Sequence, residues 1–342
     1  MRLYPLIRPA LFSFDAEQAH GLALAALKTV PKRLPRHDPR LASRVAGLDF
    51  PSPIGLAAGL DKNAKAPDAF LALGFGFVEV GTLTPLPQAG NPRPRLFRLV
   101  EDQAVINRMG FNNHGQASAH DRLARRERQG IVGVNVGANK DATDRTADYA
   151  AGVARMADVA DYLTINISSP NTPGLRALQE AAALDDLLHG AMAARPDGGP
   201  PIFLKVAPDL APADIDAIAR VAIDRKVDAL IVANTTISRP PLRSRHAGEA
   251  GGLSGAPLKD LALERLRDFR AATGAVLPLI AAGGIASGAD ALARIKAGAS
   301  LVQLYSALVY EGPFLARRIA RELGALIARE GHREIGSVVG IG

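Results

Sequence analysis

The 342-residue chain has no cysteine. Disulfides, thiolate metal ligands and a cysteine nucleophile or base are therefore excluded. Long hydrophobic runs are missing as well. The longest near the N-terminus, residues 21–27, is far too short to span a bilayer, and no signal-peptide cleavage pattern follows it. A soluble or peripheral protein is expected. No G-x-G-x-x-G turn follows the first apolar run, which argues against an open doubly wound sheet. The seven histidines show no paired ligand spacing, and no Asp or Glu cluster ends the apolar runs, so no metal site is expected.

What is present supports a large folded unit. Apolar residues make up 48% and charged residues 22%, enough to bury a core and too apolar for disorder. The net charge is +7, and residues 1–44 hold eight Lys or Arg against three Asp or Glu. A basic balance points to nucleic acid, an anionic membrane surface or anionic substrates.

From residue 54 short β-rich runs alternate with longer segments of helical period. The runs are 54–57, 77–81, 131–136, 162–167, 202–206, 229–233, 278–281 and 301–304, and stretches such as 143–160, 214–226 and 259–272 carry the helical spacing. Eight such units predict a closed (β/α)8 TIM barrel over 45–342. One antiparallel excursion, 96–100 paired with 104–108 through Glu101-Asp102-Gln103, interrupts the rhythm on the side where barrel loops carry function.

Residues 1–44 stand outside the rhythm and read as an N-terminal two-helix extension. Leu3, Leu6, Ile7, Ala10, Leu11 and Phe14 form an apolar stripe, Asp15 and Gln18 suit a helix start, and Pro31 and Pro35 follow the second helix. Two readings stand side by side here: a cap closing the bottom of the barrel, or a surface that docks on anionic lipid and admits a greasy partner.

The C-terminal ends of barrel strands form the active site in this fold. Those ends supply Ala58-Gly59-Leu60-Asp61-Lys62, Thr82, Asn135, Asn166 to Asn171, Lys205, Asn234-Thr235, Gly283-Gly284 and Tyr305-Ser306, and the excursion adds Asn107 to Asn112. A lysine inside an apolar strand, such as Lys205, must be paired, face a ligand, or snorkel to solvent. Asn107, Asn135, Asn166, Asn171 and Asn234 converging on one mouth suit a planar heterocycle rich in carbonyl and N–H groups. Gly283-Gly284 and Tyr305-Ser306, with Gly255, match the standard phosphate site of such barrels.

At these residues the sequence resembles the dihydroorotate dehydrogenases, specifically the membrane-associated, quinone-dependent class. The resemblance rests on Gly55-Leu56-Ala57-Ala58-Gly59-Leu60-Asp61-Lys62-Asn63, Asn107-Arg108-Met109-Gly110-Phe111-Asn112-Asn113, Asn166-Ile167-Ser168-Ser169-Pro170-Asn171-Thr172-Pro173-Gly174-Leu175-Arg176 and Gly251-Gly252-Leu253-Ser254-Gly255. It implies FMN held by Ala58, Gly59, Leu60, Asp61, Lys62, Thr82, Asn135, Asn166, Lys205, Ala233, Gly255, Gly284, Tyr305 and Ser306. It implies dihydroorotate contacts from Lys62, Asn107, Arg108, Met109, Gly110, Phe111, Asn166, Asn171, Asn234 and Thr235, with Ser169 as the base that takes the C5 proton while hydride passes from C6 to flavin N5. Thr172 is either a relay member or a residue that shapes the loop. The N-terminal helices become the route by which a membrane quinone reaches the flavin. The expected protein is a monomer, peripheral on the cytoplasmic side of the cell membrane, with no nucleic-acid partner.

The missing cysteine argues against the soluble, non-quinone class, which places a cysteine base on this loop. A dihydrouridine synthase-like barrel would need a cysteine acid and a separate RNA-binding domain, and both are absent. A non-catalytic basic barrel would leave the strand-end Lys and Asn residues without a role. Ala233 stands where the resemblance expects threonine, with little consequence if contact there is through backbone.

Overall fold

A computed structural model describes residues 4–27, 29–31, 33–172 and 174–342, so Leu3 of the apolar stripe and Pro173 of the fourth-strand motif lie outside the described residues. Two helices open the chain, α1 (Tyr4–Ser13) and α2 (Ala16–Leu27). Asp15 starts the second as anticipated, its Oδ1 accepting from the backbone N–H of Glu17 and Gln18 at 2.9 and 3.1 Å. A short antiparallel hairpin follows, β1 (Ser43–Val45) and β2 (Leu48–Phe50).

The barrel then runs β3 (Ile54–Leu56), α3 (Pro67–Ala72), β4 (Phe77–Leu83), the excursion strands β5 (Leu96–Leu99) and β6 (Ala104–Asn107), α4 (Gly115–Ala124), β7 (Ile131–Val136), α5 (Arg145–Met156) and β8 (Tyr162–Asn166). It continues through α6 (Ala181–Ala193), β9 (Ile202–Val206), α7 (Pro212–Asp224), β10 (Ala229–Val232), β11 (Gly252–Gly255), α8 (Lys259–Thr273), β12 (Leu279–Ala282), α9 (Gly288–Lys296), β13 (Ala299–Leu304), α10 (Ser306–Glu311) and α11 (Leu315–Arg329). Strands β3, β4, β7, β8, β9, β10, β12 and β13 pair in parallel and close on one another in chain order. The eight anticipated runs are these eight strands, with boundaries differing by at most two residues.

The continuous apolar composition of the strands follows from their double burial: helices cover one face and the barrel interior the other. Every residue of β8, β9, β10 and β12 is buried. Local chemistry sets the helix ends. Asp144 caps α5 by accepting from Ala147 N–H at 3.0 Å, Ser287 caps α9 by accepting from Asp290 N–H at 3.1 Å, and Gly274 closes α8 in the left-handed region.

Two findings go beyond the sequence reading. The excursion is three-stranded, because β11 joins the free edge of β6. And the bottom of the barrel is closed by the β1–β2 hairpin, whose Val45 and Phe50 meet Phe77, Tyr162, Phe203 and Leu301 at the N-terminal ends of the strands. Phe50 and Phe77 pack edge to face at 5.0 Å, and Tyr162 stacks on Phe203 at 4.5 Å. Gly133 makes room for this layer, since a Cβ there would lie 2.1 Å from the Tyr162 ring. The hairpin thus does what the first reading of the N-terminal helices assigned to them. Those helices lie at the opposite end.

Candidate active site

The turn after β3 is folded by Asp61. Its buried carboxylate accepts from the backbone N–H of Lys65 and Ala66 at 2.8 and 2.7 Å, hydrogen bonds that counter the upward push of burial on its pKa. This places Lys62 in the barrel mouth, where its ammonium donates to Gly59 O at 2.6 Å. Burial pushes Lys62 down to about 8, with Glu17 opposing.

Beneath the mouth lies a buried polar network. Glu79 of β4 accepts from Asn135 Nδ2 at 2.7 Å, from Gln303 Nε2 at 2.7 Å and from the Tyr162 hydroxyl at 3.1 Å. Thr82 donates to Asn135 Oδ1 at 2.6 Å, and Asn166 Nδ2 donates to Thr82 Oγ1 and Asn135 Oδ1 at 3.0 and 3.2 Å. Lys205, a residue only 4% exposed, adds an ammonium that makes no hydrogen bond among the described residues. Burial lowers its pKa, and the Glu79 carboxylate works against that.

The loop after β8 carries Ser169. Its Oγ accepts from Asn171 N–H at 3.3 Å, and Asn171 Nδ2 reaches Asn107 Oδ1 at 3.2 Å. Arg176 fastens this loop to the one after β10, donating to the carbonyls of Ser168 and Thr235 at 3.2 and 3.0 Å and pairing with Asp209 at 2.9 Å. Asn234 Nδ2 donates to Ser168 Oγ at 2.8 Å.

One cavity of about 810 Å³ takes in most of the anticipated residues. From the strand ends come Ala58, Gly59, Leu60, Lys62, Thr82, Asn166, Ser169, Asn171 and Lys205, with Ala233, Asn234 and Thr235. The excursion contributes Asn107, Met109, Gly110 and Phe111, and the far end Gly255, Gly284, Tyr305 and Ser306. At that end the Ser306 hydroxyl donates to Ser254 Oγ at 2.7 Å, and burial pushes Tyr305 up to about 12.

Three anticipated residues do not line the cavity. Asp61 is spent on backbone N–H groups, and Asn135 sits one layer below, bonded to Glu79, Thr82 and Asn166. Arg108 turns outward: it pairs with Glu249 at 2.7 Å and lies 4.6 Å over the Phe97 ring. Glu79 and Gln303 went unnoticed in the sequence. The signal for Glu79 was the same as for Lys205, a charge inside an apolar strand.

The cavity continues from the polar mouth into an arm bounded by α1 and α2, where Leu11, Ala19, Ala23 and Leu27 face it. His20 also lines this arm, and burial beside the Lys62 charge pushes it down to about 3, so it is neutral. Arg98 of β5 ties α1 to the excursion by donating to the carbonyls of Leu11 and Phe12 at 3.2 Å. Glu17 of α2 pairs with the buried Arg95 at 2.7 Å. Neither helix buries a residue fully.

Comparison with known proteins agrees with this arrangement over the whole chain. Residues 40–327 match the family model described as dihydroorotate dehydrogenase. A protein of Sphingopyxis alaskensis named dihydroorotate dehydrogenase (quinone) is 62% identical over 99% of this chain and 97% of its own length. One of Erythrobacter litoralis with the same name is 62% identical over 99% of each. The crystal structure of the Eimeria tenella dihydroorotate dehydrogenase in complex with ferulenol superposes with a TM-score of 0.92 at 42% identity, covering 98% of both chains. With the barrel, the fourth-strand motif and the α1–α2 arm all in place, the chain belongs to the dihydroorotate dehydrogenase family, in its quinone-dependent class.

Proposed function

We infer that the protein oxidises (S)-dihydroorotate to orotate in pyrimidine (UMP) biosynthesis and passes the electrons through FMN to a membrane quinone. One observation carries this reading: a single cavity joins a buried polar mouth, with Lys62, Asn166, Ser169 and Lys205, to an apolar arm between α1 and α2. A planar acid rich in carbonyl and N–H groups suits the first end, and a greasy ring suits the second.

The residues present fit FMN. Lys205 and Gln303 line the cavity with a buried ammonium that makes no hydrogen bond and a buried Oε1 without a partner among the described residues. A ring with carbonyl oxygens and an N–H would complete both. FMN would be held by Ala58, Gly59, Leu60, Lys62, Thr82, Asn166, Lys205 and Ala233, and its phosphate by Gly255, Gly284, Tyr305 and Ser306. Asp61 and Asn135 act from behind, by folding the β3 turn and fixing the Asn166 amide. When bound, FMN supplies the acceptor for the hydride leaving C6 and the relay of electrons to the quinone.

The remaining work falls to the chain. Lys62 offers its ammonium to the substrate carboxylate, while Asn107, Asn166, Asn171 and Asn234 orient the pyrimidine ring, with Met109, Gly110, Phe111 and Thr235 completing its enclosure. Arg108 supports that wall by pairing with Glu249. Ser169 takes the proton from C5. A serine hydroxyl is a weak base and needs help to hold that proton. Thr172, three residues on, is buried with its Oγ1 unpartnered among the described residues, which supports the relay role over one that only shapes the loop.

Helices α1 and α2 form the access segment, and the expected division between 1–44 and 45–342 falls inside β1 of the hairpin that closes the barrel bottom. The exposed Leu6, Ile7, Phe14 and Leu22 on or beside α1 and α2, with the basic run Lys28, Lys32, Arg33 and Arg36 that follows α2 in sequence, support peripheral docking on the cytoplasmic face of an anionic membrane. No helix among the described residues is long and apolar enough to cross it. The working form is a monomer. The reading is tested anaerobically: dihydroorotate should bleach the flavin absorbance, and a quinone, but not fumarate or NAD, should restore it. A flavin that stays oxidised would refute the substrate assignment.

A further inference from the structure

Arg294 is the largest fully buried side chain among the described residues, 2% exposed, on α9 directly behind the Gly283-Gly284 loop. Its Nη2 donates to the carbonyls of Gly283 and Lys259, at 3.0 and 2.5 Å, and so joins the loop after β12 to the first turn of α8. It forms no ion pair with a described carboxylate, and its Nε has no partner among the described residues. Burial pushes the guanidinium down to about 10, with Asp290 and Asp260 opposing from a distance. A buried cation held only by carbonyls is costly, and its retention calls for a reason beyond packing.

The geometry supplies one. A trans peptide directs its C=O and N–H to opposite sides, so pinning Gly283 O toward Arg294 turns the Gly284 N–H the other way. Gly284 lines the cavity there. Both glycines hold positive φ, 107° and 70°, in a segment with little stiffness of its own. Lys259 Cα comes within 2.4 Å of where a Gly284 Cβ would be, so the loop and the α8 start form one surface. The Lys259 N–H is taken up by Ala256 O, so the donor left to this surface is the glycine turn, whose backbone N–H binds an anion only when it is held outward.

We propose that Arg294 is a positioning residue for the phosphate of the flavin nucleotide: it locks the Gly283-Gly284 peptide against the start of α8 with the Gly284 N–H toward the cavity, and its charge favours a dianion there. The proposal rests on the reading that FMN is the cofactor. It separates from a general structural role because riboflavin carries the same ring without the phosphate.

The test equilibrates full-length holoenzyme with a defined mixture of FMN and riboflavin, then separates and counts the bound flavins. For Arg294→Met the preference for FMN over riboflavin should fall at least about tenfold, the size expected for hydrogen bonds to a charged group. Arg294→Lys, which keeps the charge but has a shorter reach, should lose a smaller part of it. An unchanged preference in the methionine variant would overturn the proposal, even if total flavin content dropped, because parallel loss of both flavins marks a plain structural staple. If the methionine variant does not fold, the lysine variant decides, and an unchanged preference there has the same meaning. A wild-type protein that did not prefer FMN would instead sink the cofactor reading, and this proposal with it.

Discussion

Phe203 and Lys205 stand two residues apart on β9, so both side chains point to the same side of the strand. Phe203 stacks on Tyr162 in the apolar layer that the β1–β2 hairpin seals, while Lys205 faces the cavity from within a network of Glu79, Asn135, Asn166 and Gln303. Both are buried. At the lower end every ring packs against another ring. The upper end keeps buried polar groups that the chain does not satisfy, and that incompleteness marks it as the place where something else binds. One strand therefore serves stability at its start and chemistry at its end.

Substitutions can break this division, and the largest effect is expected at the mouth. Ser169→Ala should retain FMN while flavin reduction by dihydroorotate, followed anaerobically, slows by roughly 10²–10⁴-fold. A variant reduced at the wild-type rate would remove Ser169 from the mechanism. Next in size is the lower end: Phe203→Ala should cost about 3–5 kcal/mol in denaturant unfolding, yet the folded fraction should reduce its flavin normally. Loss of activity in the folded fraction would mean that the two ends are not separable.

Lys205→Met sharpens the contrast two residues away. Removing a buried ammonium relieves its desolvation cost, so the flavin-free protein should lose less stability than Phe203→Ala does, while FMN affinity drops at least about tenfold. Equal stability losses at the two positions would erase the distinction.

The smallest effect is in pH. Lys62, pushed from the ordinary 10.5 to about 8, carries its charge below pH 8 and loses it above. Orotate binding to the oxidised enzyme, read from the flavin spectrum, should therefore weaken as pH rises past 8, by at most about tenfold per unit. In stability the sign is opposite. The unfolded chain keeps the lysine protonated up to its ordinary range, so burial of Lys62 opposes folding below about pH 8 and this cost fades as pH rises. Orotate affinity that is flat from pH 7 to 9 would take Lys62 off the carboxylate.

Much of this was legible in the sequence, for a physical reason. Barrel strands are apolar throughout and end in turn residues, so both their number and the side chains at their ends can be read locally. Runs 131–136 and 202–206 match β7 and β9 to the residue. What could not be read depends on partners far apart in the chain. Glu79 is explained only by Asn135, Tyr162 and Gln303, which are 56, 83 and 224 residues away. Arg294 is explained by carbonyls of two separate elements. Strand β11 is a short Gly-Leu-Ser-Gly segment without strand character of its own, which forms because β6 presents it with an edge. Arg108 was misplaced for a similar reason: its motif neighbours face the cavity, but Glu249 and Phe97 draw its own side chain outward.

The central claim is that one cavity has two ends serving two half-reactions, and Ala19 on α2 tests it most directly, because it lines the apolar arm away from the polar mouth. Stopped-flow absorbance on Ala19→Trp should show flavin reduction by dihydroorotate at the wild-type rate and reoxidation by quinone slowed at least about tenfold. Reoxidation at the wild-type rate would contradict the account, and so would an equal loss in both half-reactions.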